Sequence, residues 1–323
     1  MNSYYFVGRC KALETKLLSS LQLNELIKCR EVVEVVSLLN SYNFLKGENI
    51  NTFSDLLALL DREEQEFLAF LKRSTPNENY TKFFTLKNDY FNAESIYMAR
   101  RLHVSPPLLN EGLLRIETLE KVMETKGYDV LSVQLSNCIK YCDSLVGEEN
   151  FTGFAVDTAF KRAMYEEMRE ICKKNKDLRK YCTFRIDMQN ISLAVRLRDK
   201  KMFNLVRLAG GSLHDSVFDN LISGNEETIL SRLSSSDYIS AIKLLLGAMR
   251  ENEPFVKFDY MFDCFPISFF DKFKYETEGD VPYIRYCFLK ETELINLRII
   301  IQGLITNRNR QKITNEIRRV YEQ

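Results

Sequence analysis

The stretch YIRYCFLKETELINLR, residues 283–298, contains the pattern that decides the fold. In it, an acid is followed by two residues, an asparagine and then apolar residues at helical spacing. Two earlier stretches carry the same pattern, LKNDYFN at 86–92 and FRIDMQNISLAVRLR at 184–198. The three acid and asparagine pairs are Asp89 with Asn92, Asp187 with Asn190, and Glu293 with Asn296. A pattern that recurs along a chain indicates a duplicated structural unit.

The spacing of the three copies predicts the size of that unit. Positions one, four and eight after the acid are apolar in nearly every copy, as one face of a helix requires. Another amphipathic helix begins some thirty residues before each motif, near Asp55, Asp157 and Asp259. The asparagines at 92, 190 and 296 imply units of about a hundred residues. We therefore expect three helical repeats, at 1–105, 106–215 and 216–323, the last with a basic C-terminal helix near 313–321.

The repeated acid and asparagine have two interpretations. Residues three positions apart lie on the same side of a helix and can share a hydrogen-bond network. A buried amide must find partners, so a recurrent asparagine can fix how neighbouring segments pack. We expect Asp89, Asn92, Asp187, Asn190, Glu293 and Asn296 to have this structural role. The alternative, three carboxylates that face a shared cavity, stays open at this point.

The composition favours helices throughout. The chain has 12 Gly and 6 Pro in 323 residues, and chains with few turn residues favour long helices over many-stranded sheets. A helical period also runs through residues 5–20 and 54–72, the second of which has Thr52 or Ser54 as its N-cap. Convincing alternating strands are absent. The sequence predicts an all-α fold.

The charge balance and the cysteines narrow the class of protein. Lys and Arg number 45, as do Asp and Glu, whereas a nucleic-acid-binding protein usually has a basic excess. No window approaches the roughly 20 apolar residues of a membrane span, and the N-terminus has no secretory signal pattern. The eight cysteines are therefore interpreted as reduced thiols of a cytosolic protein.

Sequence motifs for catalysis or cofactor binding are missing. The segment 147–153 contains two glycines but lacks the Lys-Ser/Thr ending of a phosphate-binding loop. Gly210 and Gly211 are interpreted as a helix-ending turn rather than an anion site. The two histidines, His103 and His214, lie in no metal-binding or catalytic spacing. We predict that this chain has no catalytic residue, no cofactor and no metal, and that it is not an enzyme.

The C-terminal tail is the candidate surface for a partner. Its basic residues are Arg308, Arg310, Lys312, Arg318 and Arg319. Three interpretations stay open: a solvated helix, a contact for an acidic protein, or a contact for nucleic acid.

The three motifs together resemble a known family. Residues 283–298, continuing to Ile300 and Gly303, are similar to the Lys-Glu-x-Glu-Ile-x-Asn-Leu-Arg signature of the C/d subunits of V-type and archaeal-type (A-type) ATPases. Leu294 stands where isoleucine is usual in that signature. The stretches 184–198 and 86–92, the Gly210–Gly211 pair and residues 5–18 also fit the family. The length and the three-repeat organisation match over the whole chain.

The resemblance implies a fold and a function. Members of the family are funnel-shaped, pseudo-threefold helical proteins that bind no nucleotide. They are central-stalk rotor subunits on the cytoplasmic side of the membrane rotor ring. They receive the end of the central shaft and couple its rotation to the ring. This coupling links ATP hydrolysis to the transport of protons or sodium ions. The expected partners are the shaft subunits and the ring. The alternative is an unrelated helical-repeat scaffold that binds proteins.

Overall fold

The computed structural model describes residues 3–45, 47–147 and 152–320. Within these ranges the regular structure is helical and contains no β-strand, which confirms the all-α prediction. The chain forms two compact units. Unit 1 comprises Met1–Pro76 and Tyr260–Gln323, and unit 2 comprises Asn77–Asp259.

The α-helices of the described residues follow one another with short connections. The first eight are α1 (Ser3–Glu14), α2 (Ser20–Lys28), α3 (Val32–Ser41), α4 (Phe53–Ser74), α5 (Glu78–Leu102), α6 (Ile116–Thr125), α7 (Val133–Ser144) and α8 (Gly153–Cys172). The others are α9 (Lys176–Leu197), α10 (Lys200–Val206), α11 (Asp215–Ser223), α12 (Glu226–Arg232), α13 (Ile239–Arg250), α14 (Val256–Phe270), α15 (Val281–Ile305) and α16 (Arg310–Glu316). Short 3₁₀ turns lie at Tyr128–Val130 and Asp271–Phe273.

Unit 1 joins helices from both ends of the chain. The motif helix α15 packs against α1, α2 and α4. Helix α4 begins after Thr52, whose side chain accepts a hydrogen bond from the Asp55 N–H, while the Asp55 carboxylate accepts from the Thr52 N–H. This reciprocal cap satisfies two backbone donors that the helix itself leaves unpaired. Leu56 and Leu60 of α4 share one apolar core with Leu297 and Ile301 of α15.

Unit 2 contains the other two motif helices. Helix α5 packs against α8, which also packs against α7 and α9, and α11 packs against α9. Asn175 starts α9 by accepting hydrogen bonds from the N–H groups of Asp177 and Leu178. Between α5 and α8, the Tyr97 and Phe160 rings lie with their centroids 6.0 Å apart. The helices predicted near Asp55, Asp157 and Asp259 are α4, α8 and α14.

The C-terminal helix differs from its predicted position. The sequence predicts it near 313–321, but α16 begins at Arg310 and ends at Glu316, and Tyr321 lies outside the described residues. Ile317 has extended backbone angles (φ −65°, ψ 122°), because the next residue, Arg318, hydrogen-bonds to a side chain of α15 instead of continuing the helix. The repeat boundaries at 105/106 and 215/216 and the threefold funnel arrangement stay predictions.

Two sequence expectations concern the cysteines and possible membrane-spanning helices. All eight cysteines are buried as free thiols. In the described part of the chain, no helix combines the length and the apolar character needed to cross a membrane.

Candidate functional site

Each repeated asparagine binds both backbone groups of one residue in a later segment. Asn190 donates from Nδ2 to the Leu208 carbonyl oxygen, and its Oδ1 accepts from the Leu208 N–H, both at 2.9 Å. The other two copies make the same pair of bonds, at 3.3 and 2.8 Å for Asn92 with Leu109 and at 3.0 and 2.8 Å for Asn296 with Arg318. All three asparagines are buried.

The geometry explains why this position carries an asparagine. A primary amide presents a donor and an acceptor side by side, as a strand partner would, and a carboxylate of the same size has no donor. Backbone groups of a buried segment outside regular structure need such partners, because leaving them unpaired is unfavourable. The asparagine therefore substitutes for backbone pairing and fixes the segment on the motif helix.

Asp89 contacts the same loop as Asn92, at residues a few positions after Leu109. Its Oδ1 accepts from the Leu114 N–H at 2.9 Å, and its Oδ2 accepts from the Leu113 N–H at 3.2 Å. These residues immediately precede α6. Asn92 and Asp89 together therefore fix the connection from α5 to α6.

Asp187 makes the equivalent contacts in the second copy. Its carboxylate accepts from the Ser212 N–H at 2.8 Å and from the Leu213 N–H at 3.2 Å, just before α11. The Ser212 and Tyr238 hydroxyls also donate to it, at 2.7 and 2.8 Å. Burial and the hydrogen bond to this carboxylate raise the pKa of Tyr238, so the phenol stays protonated as a donor.

A glycine precedes each loop segment that the aspartates hold. A Cβ on residue 112 would lie 2.2 Å from Asp89 Oδ1, and one on residue 211 would lie 2.1 Å from Asp187 Oδ1. Both glycines are therefore explained by the close approach of a carboxylate. The Gly210–Gly211 pair, interpreted from the sequence as a helix-ending turn, lies in the loop between α10 and α11. Its second member makes room for the aspartate.

The third acid holds a segment from the other end of the chain. Glu293 Oε1 accepts from the Leu18 N–H at 2.7 Å, and its Oε2 accepts from Lys290 Nζ at 2.8 Å. Leu18 precedes α2, as Leu114 precedes α6 and Leu213 precedes α11. Each acid thus holds the backbone in front of a short helix. Because these contacts engage the carboxylates with donors of the chain itself, they favour the packing interpretation over a shared cavity.

Ion pairs tie α15 to α4 within unit 1. Lys290 lies 3.2 Å from Glu63, and Arg298 Nη2 lies 2.7 Å from both Asp61 and Glu64. Burial alone would lower the pKa of Lys290, but the carboxylates of Glu293 and Glu63 raise it above its usual value. The lysine therefore remains charged in this half-buried position. Lys290 and Arg298 were not among the predicted site residues. Both belong to the signature stretch 283–298, which is the sequence signal that could have found them.

A buried charge cluster was not among the predicted site residues. Arg285, 2% exposed, lies 2.7 Å from Glu14 of α1 and 3.1 Å from Asp271. It interrupts an otherwise apolar run at the start of α15, and that interruption was the available signal. Its partners are far away in sequence, so the pattern could not identify them.

The basic tail is largely engaged within unit 1. Arg308 pairs with Glu316, Arg310 donates to the Cys29 carbonyl oxygen, Arg318 pairs with Asp263, and Arg319 pairs with Asp271, at distances of 2.5 to 2.8 Å. Lys312 is exposed. A role of the tail in partner binding stays a prediction, but the charge that it offers to a partner is smaller than the sequence alone indicates.

The two histidines have local structural contacts. His214 caps α11 by accepting at Nδ1 from the Ser216 N–H (3.2 Å). His103 ends α5 in the left-handed region (φ 54°). Among the described residues, no group of three or more His, Cys, Asp or Glu side chains is arranged to hold a metal ion. The segment 147–153 lies partly outside the described residues.

Comparison with known proteins adds the whole-chain evidence. Residues 6–316 match the family described as ATP synthase (C/AC39) subunit. The chain belongs to this family. Similar proteins include the C subunit of the A-type ATP synthase from Methanocaldococcus jannaschii, which is 24% identical over 96% of this chain and 84% of that protein. The C subunit of the V-type sodium ATPase from Enterococcus hirae is 20% identical over 93% of this chain and 98% of that protein. The C subunit of an A-type ATP synthase from Halobacterium salinarum is 25% identical over 54% of this chain and 51% of that protein.

Family membership confirms the resemblance that the three motifs indicated. The matched range contains all three acid and asparagine pairs as well as Lys290 and Arg298.

Proposed function

We propose that this chain is a non-catalytic central-stalk subunit of a V/A-type rotary ATPase. In this role it couples the rotating shaft to the membrane rotor ring, on the cytoplasmic face, during ATP-linked transport of protons or sodium ions. The observation that supports this most strongly is the family match over residues 6–316. Relatives named as the C subunits of an A-type ATP synthase and of a V-type sodium ATPase span nearly the whole chain.

The internal contacts are compatible with a mechanical role. A protein that transmits torque must resist deformation, and satisfied buried polar networks make a protein more rigid. The asparagine and aspartate pairs fix the loop between α5 and α6 and the loop between α10 and α11. In unit 1, Glu293 and Arg285 fasten the N-terminal segment to α15. The buried polar side chains of the motif helices thus stabilise contacts within the chain.

Reconstitution tests the proposed function. The catalytic head and shaft would be combined with the membrane ring in vesicles, with and without this chain. We expect ATP-driven ion pumping with the chain present and uncoupled ATP hydrolysis without it. ATP hydrolysis by the head is the control, because it should proceed in both samples. Equal ATP-driven pumping in the absence of the chain would contradict the adaptor assignment.

The tail provides a second, narrower test. Changing Arg318 or Arg319 to Glu would also break an ion pair within unit 1, so loss of assembly would have two explanations. Lys312→Glu reverses an exposed charge instead. If the tail contacts an acidic partner, this variant should weaken assembly and reduce its dependence on salt. Unchanged assembly would remove Lys312 from the interface.

Membership of the family removes the alternative of an unrelated helical-repeat scaffold. The relatives are named as the C subunits of an A-type ATP synthase and of a V-type sodium ATPase, so the partners proposed here are those of a rotary ATPase.

A further inference from the structure

The corner between α8 and α9, residues 173–180, carries a concentration of exposed cations. Its sequence, KKNKDLRK, contains five basic residues and one acid, although the chain as a whole has equal numbers of basic and acidic residues. The five basic residues are all exposed, and they are Lys173, Lys174, Lys176, Arg179 and Lys180. Leu178, the one apolar residue of the corner, is buried. The surface of the α8–α9 corner is therefore cationic and without apolar side chains.

The other two copies of the repeat have balanced charges at the same place. The corner lies fourteen to seven positions before the motif acid Asp187. The matching residues are 75–82 in the first copy and 279–286 in the third, and each of these ranges contains one acid and one basic residue. The repeat fold therefore does not require a basic corner, and the charge of the second copy needs another explanation.

The carboxylates of α8 do not neutralise the corner. The exposed face of α8 that leads to it carries two cations and two acids, Arg162, Arg169, Glu166 and Glu170. Glu170 pairs with Lys173 at 2.7 Å. Glu167 is half-buried and accepts hydrogen bonds from two hydroxyl groups of the chain. Four basic residues of the corner thus remain against its single acid, Asp177.

Neighbouring elements change this balance little. Asn175 donates from Nδ2 to the Tyr80 hydroxyl at 2.8 Å, so the beginning of α5 lies beside the corner. That part of α5 adds one exposed acid and one exposed base, Glu78 and Lys82. Asp237 is exposed and lies next to a tyrosine ring that stacks on α9 one turn after the corner. With Asp237 included, the four cations still face only two acids.

Helix stability explains only part of this charge. Lys173 and Lys174 follow the last turn of α8, where the helix dipole favours cations. Lys176 and Arg179 lie in the first turn of α9, where the dipole favours acids and disfavours cations. Lys176 and Lys180 are four positions apart, and like charges at this spacing are destabilising. Three of the five cations therefore oppose the stability of α9, as is expected of residues at functional sites.

We propose that the α8–α9 corner binds the anionic headgroup layer of a lipid membrane. The core of a protein interface is apolar and poor in lysine, whereas four of the five cations here are lysines and no apolar side chain of the corner is exposed. Clusters of about four to eight Lys or Arg residues beside a membrane attract anionic lipids. The inference rests on the proposed function, which puts the chain next to a membrane, and it adds lipid to the shaft and the ring as a partner.

Vesicle sedimentation with the full chain tests the inference. One set of vesicles contains equal parts of phosphatidylglycerol and phosphatidylcholine, and the other contains phosphatidylcholine alone. We expect binding to be at least about tenfold stronger with the anionic set at low salt and to weaken at high salt, because salt screens exposed charges. Free inorganic phosphate at the concentration of the lipid phosphate should not compete, because one small anion contacts too few of the cations. Equal binding to both sets, binding to neither, or full competition by phosphate would overturn the inference.

Charge reversal in the first turn of α9 separates binding from folding. Lys176→Glu with Arg179→Glu should raise the melting temperature, because acids are favourable at a helix N-terminus and a glutamate four positions before Lys180 forms a favourable pair. The same variant should bind anionic vesicles at least about tenfold more weakly than the wild type does. A variant that is more stable and yet binds less would identify these cations as binding residues. Unchanged binding would overturn the inference.

Two further variants complete the comparison. Lys174→Gln with Lys180→Gln removes two charges of the corner without adding acids, and it should weaken binding by at least about threefold. Lys121→Glu with Lys140→Glu reverses two exposed cations of α6 and α7. This control changes the net charge as much as the reversal in α9 does, and it should bind like the wild type. An equal loss of binding in the control would overturn the assignment to the corner.

An acidic segment of another subunit is the competing occupant of the corner. A benzophenone amino acid at the exposed Lys174 (Lys174→p-benzoylphenylalanine) would be activated in the membrane-bound complex and the products mapped by mass spectrometry. We expect lipid adducts. Crosslinks to another subunit in place of lipid would overturn the inference.

The outcomes separate this inference from the proposed function. If reconstituted pumping requires the chain but the wild type does not distinguish anionic from neutral vesicles, only the lipid inference fails. If pumping is equally coupled without the chain, the proposed function fails, whatever the vesicles show.

Discussion

Asp187 and Gly211 lie so close together that a Cβ on residue 211 would be 2.1 Å from Asp187 Oδ1. The carboxylate reaches the N–H groups of Ser212 and Leu213 across this gap. Asp89 and Gly112 have the same relationship, with 2.2 Å for the corresponding distance. In the third copy, the acid is a glutamate and its backbone partner belongs to the N-terminal segment. In the first two copies, the acid, the asparagine and the glycine thus form one loop-fixing device.

Alanine at either glycine should therefore destabilise the protein. Gly211→Ala and Gly112→Ala would push the carboxylate away from its backbone donors, at a cost of about 1–3 kcal/mol in the free energy of unfolding. Urea denaturation measures this. Gly247→Ala is the matched control, because a Cβ there meets nothing within 4 Å in α13, and it should stabilise by roughly 0.5–1 kcal/mol.

A double variant tests whether the clash with the Asp187 carboxylate causes the loss of stability. If the clash with Asp187 is responsible, Gly211→Ala should be less harmful in an Asp187→Ala background, so the two effects should not add. Additive losses would mean that residue 211 acts independently of the carboxylate.

Substitutions of the repeated asparagines should show how much the amide donor and the amide acceptor each contribute to stability. Asn190→Asp keeps an oxygen for the Leu208 N–H but cannot donate to the Leu208 carbonyl, and Asn190→Ala loses both bonds. Each change should lower the free energy of unfolding by about 1–3 kcal/mol, as should Asn92→Ala and Asn296→Ala. Thermal melts would show it, with exposed Asn315→Ala as the control. Unchanged melting of all three alanine variants would contradict the packing role.

Truncation of Arg285 should be more harmful than the loss of a surface pair. Arg285→Met leaves the buried Glu14 with only Lys11, 3.8 Å away, as a cation, and breaking a buried ion pair costs about 3–5 kcal/mol. Glu14→Gln combined with Arg285→Met should recover part of that loss. Arg308→Met, which breaks the more exposed pair with Glu316, should change stability by less than about 1 kcal/mol. Equal effects of the two single changes in chemical denaturation would refute this ranking.

The sequence predicted the parts of this molecule that depend on local periodicity. The apolar residues after each acid identified α5, α9 and α15. The sequence also singled out the acids and asparagines, but not their partners, which are backbone groups of later segments and, for Glu293, of the N-terminal segment. The glycine at 112 and the charge partners Glu14, Asp61 and Glu64 could not be found in this way. Their contacts join positions 23 to more than 200 residues apart, and one sequence contains no signal for such pairing.

In the C-terminal tail the sequence signal was clear, but it did not show whether the basic side chains are available to a partner. Its five basic residues form a clear sequence feature, but three of the arginines pair with carboxylates of unit 1 and one binds a backbone carbonyl. The number of charged residues in a segment does not show which side chains already form ion pairs within the chain and which can bind a partner.

The isolated chain should not bind nucleotide. The lysines and arginines with defined geometry near α15 contact carboxylates of α4, α15 or α1, so a phosphate would have to displace those pairs. Isothermal titration calorimetry with ATP and Mg²⁺ should give no heat of binding, and the chain alone should release no phosphate from ATP. Saturable binding at micromolar ATP would contradict the non-catalytic assignment.

Two glutamates should respond to pH in opposite directions. The pKa of Glu94 is raised above its ordinary value of 4.5, by burial first and then by Asp157. The native state therefore holds this proton more tightly than the unfolded chain does. The stabilisation that results is complete below about pH 4.5 and disappears as the pH rises through the native pKa. Glu94→Gln does not titrate, so it should become more stable relative to the wild type as the pH rises above about 4.5.

Glu34 is the matched control for this prediction. Its pKa is lowered, because its carboxylate accepts hydrogen bonds from the backbone N–H groups of Arg30 and Glu31. The corresponding stabilisation is present above about pH 4.5 and is lost as the pH falls through the native pKa. Glu34→Gln should therefore be less stable than the wild type near neutral pH, and the difference should shrink on acidification. Melting temperatures of the three proteins across this range provide the measurement, and parallel curves for both variants would contradict the opposite environments of the two carboxylates.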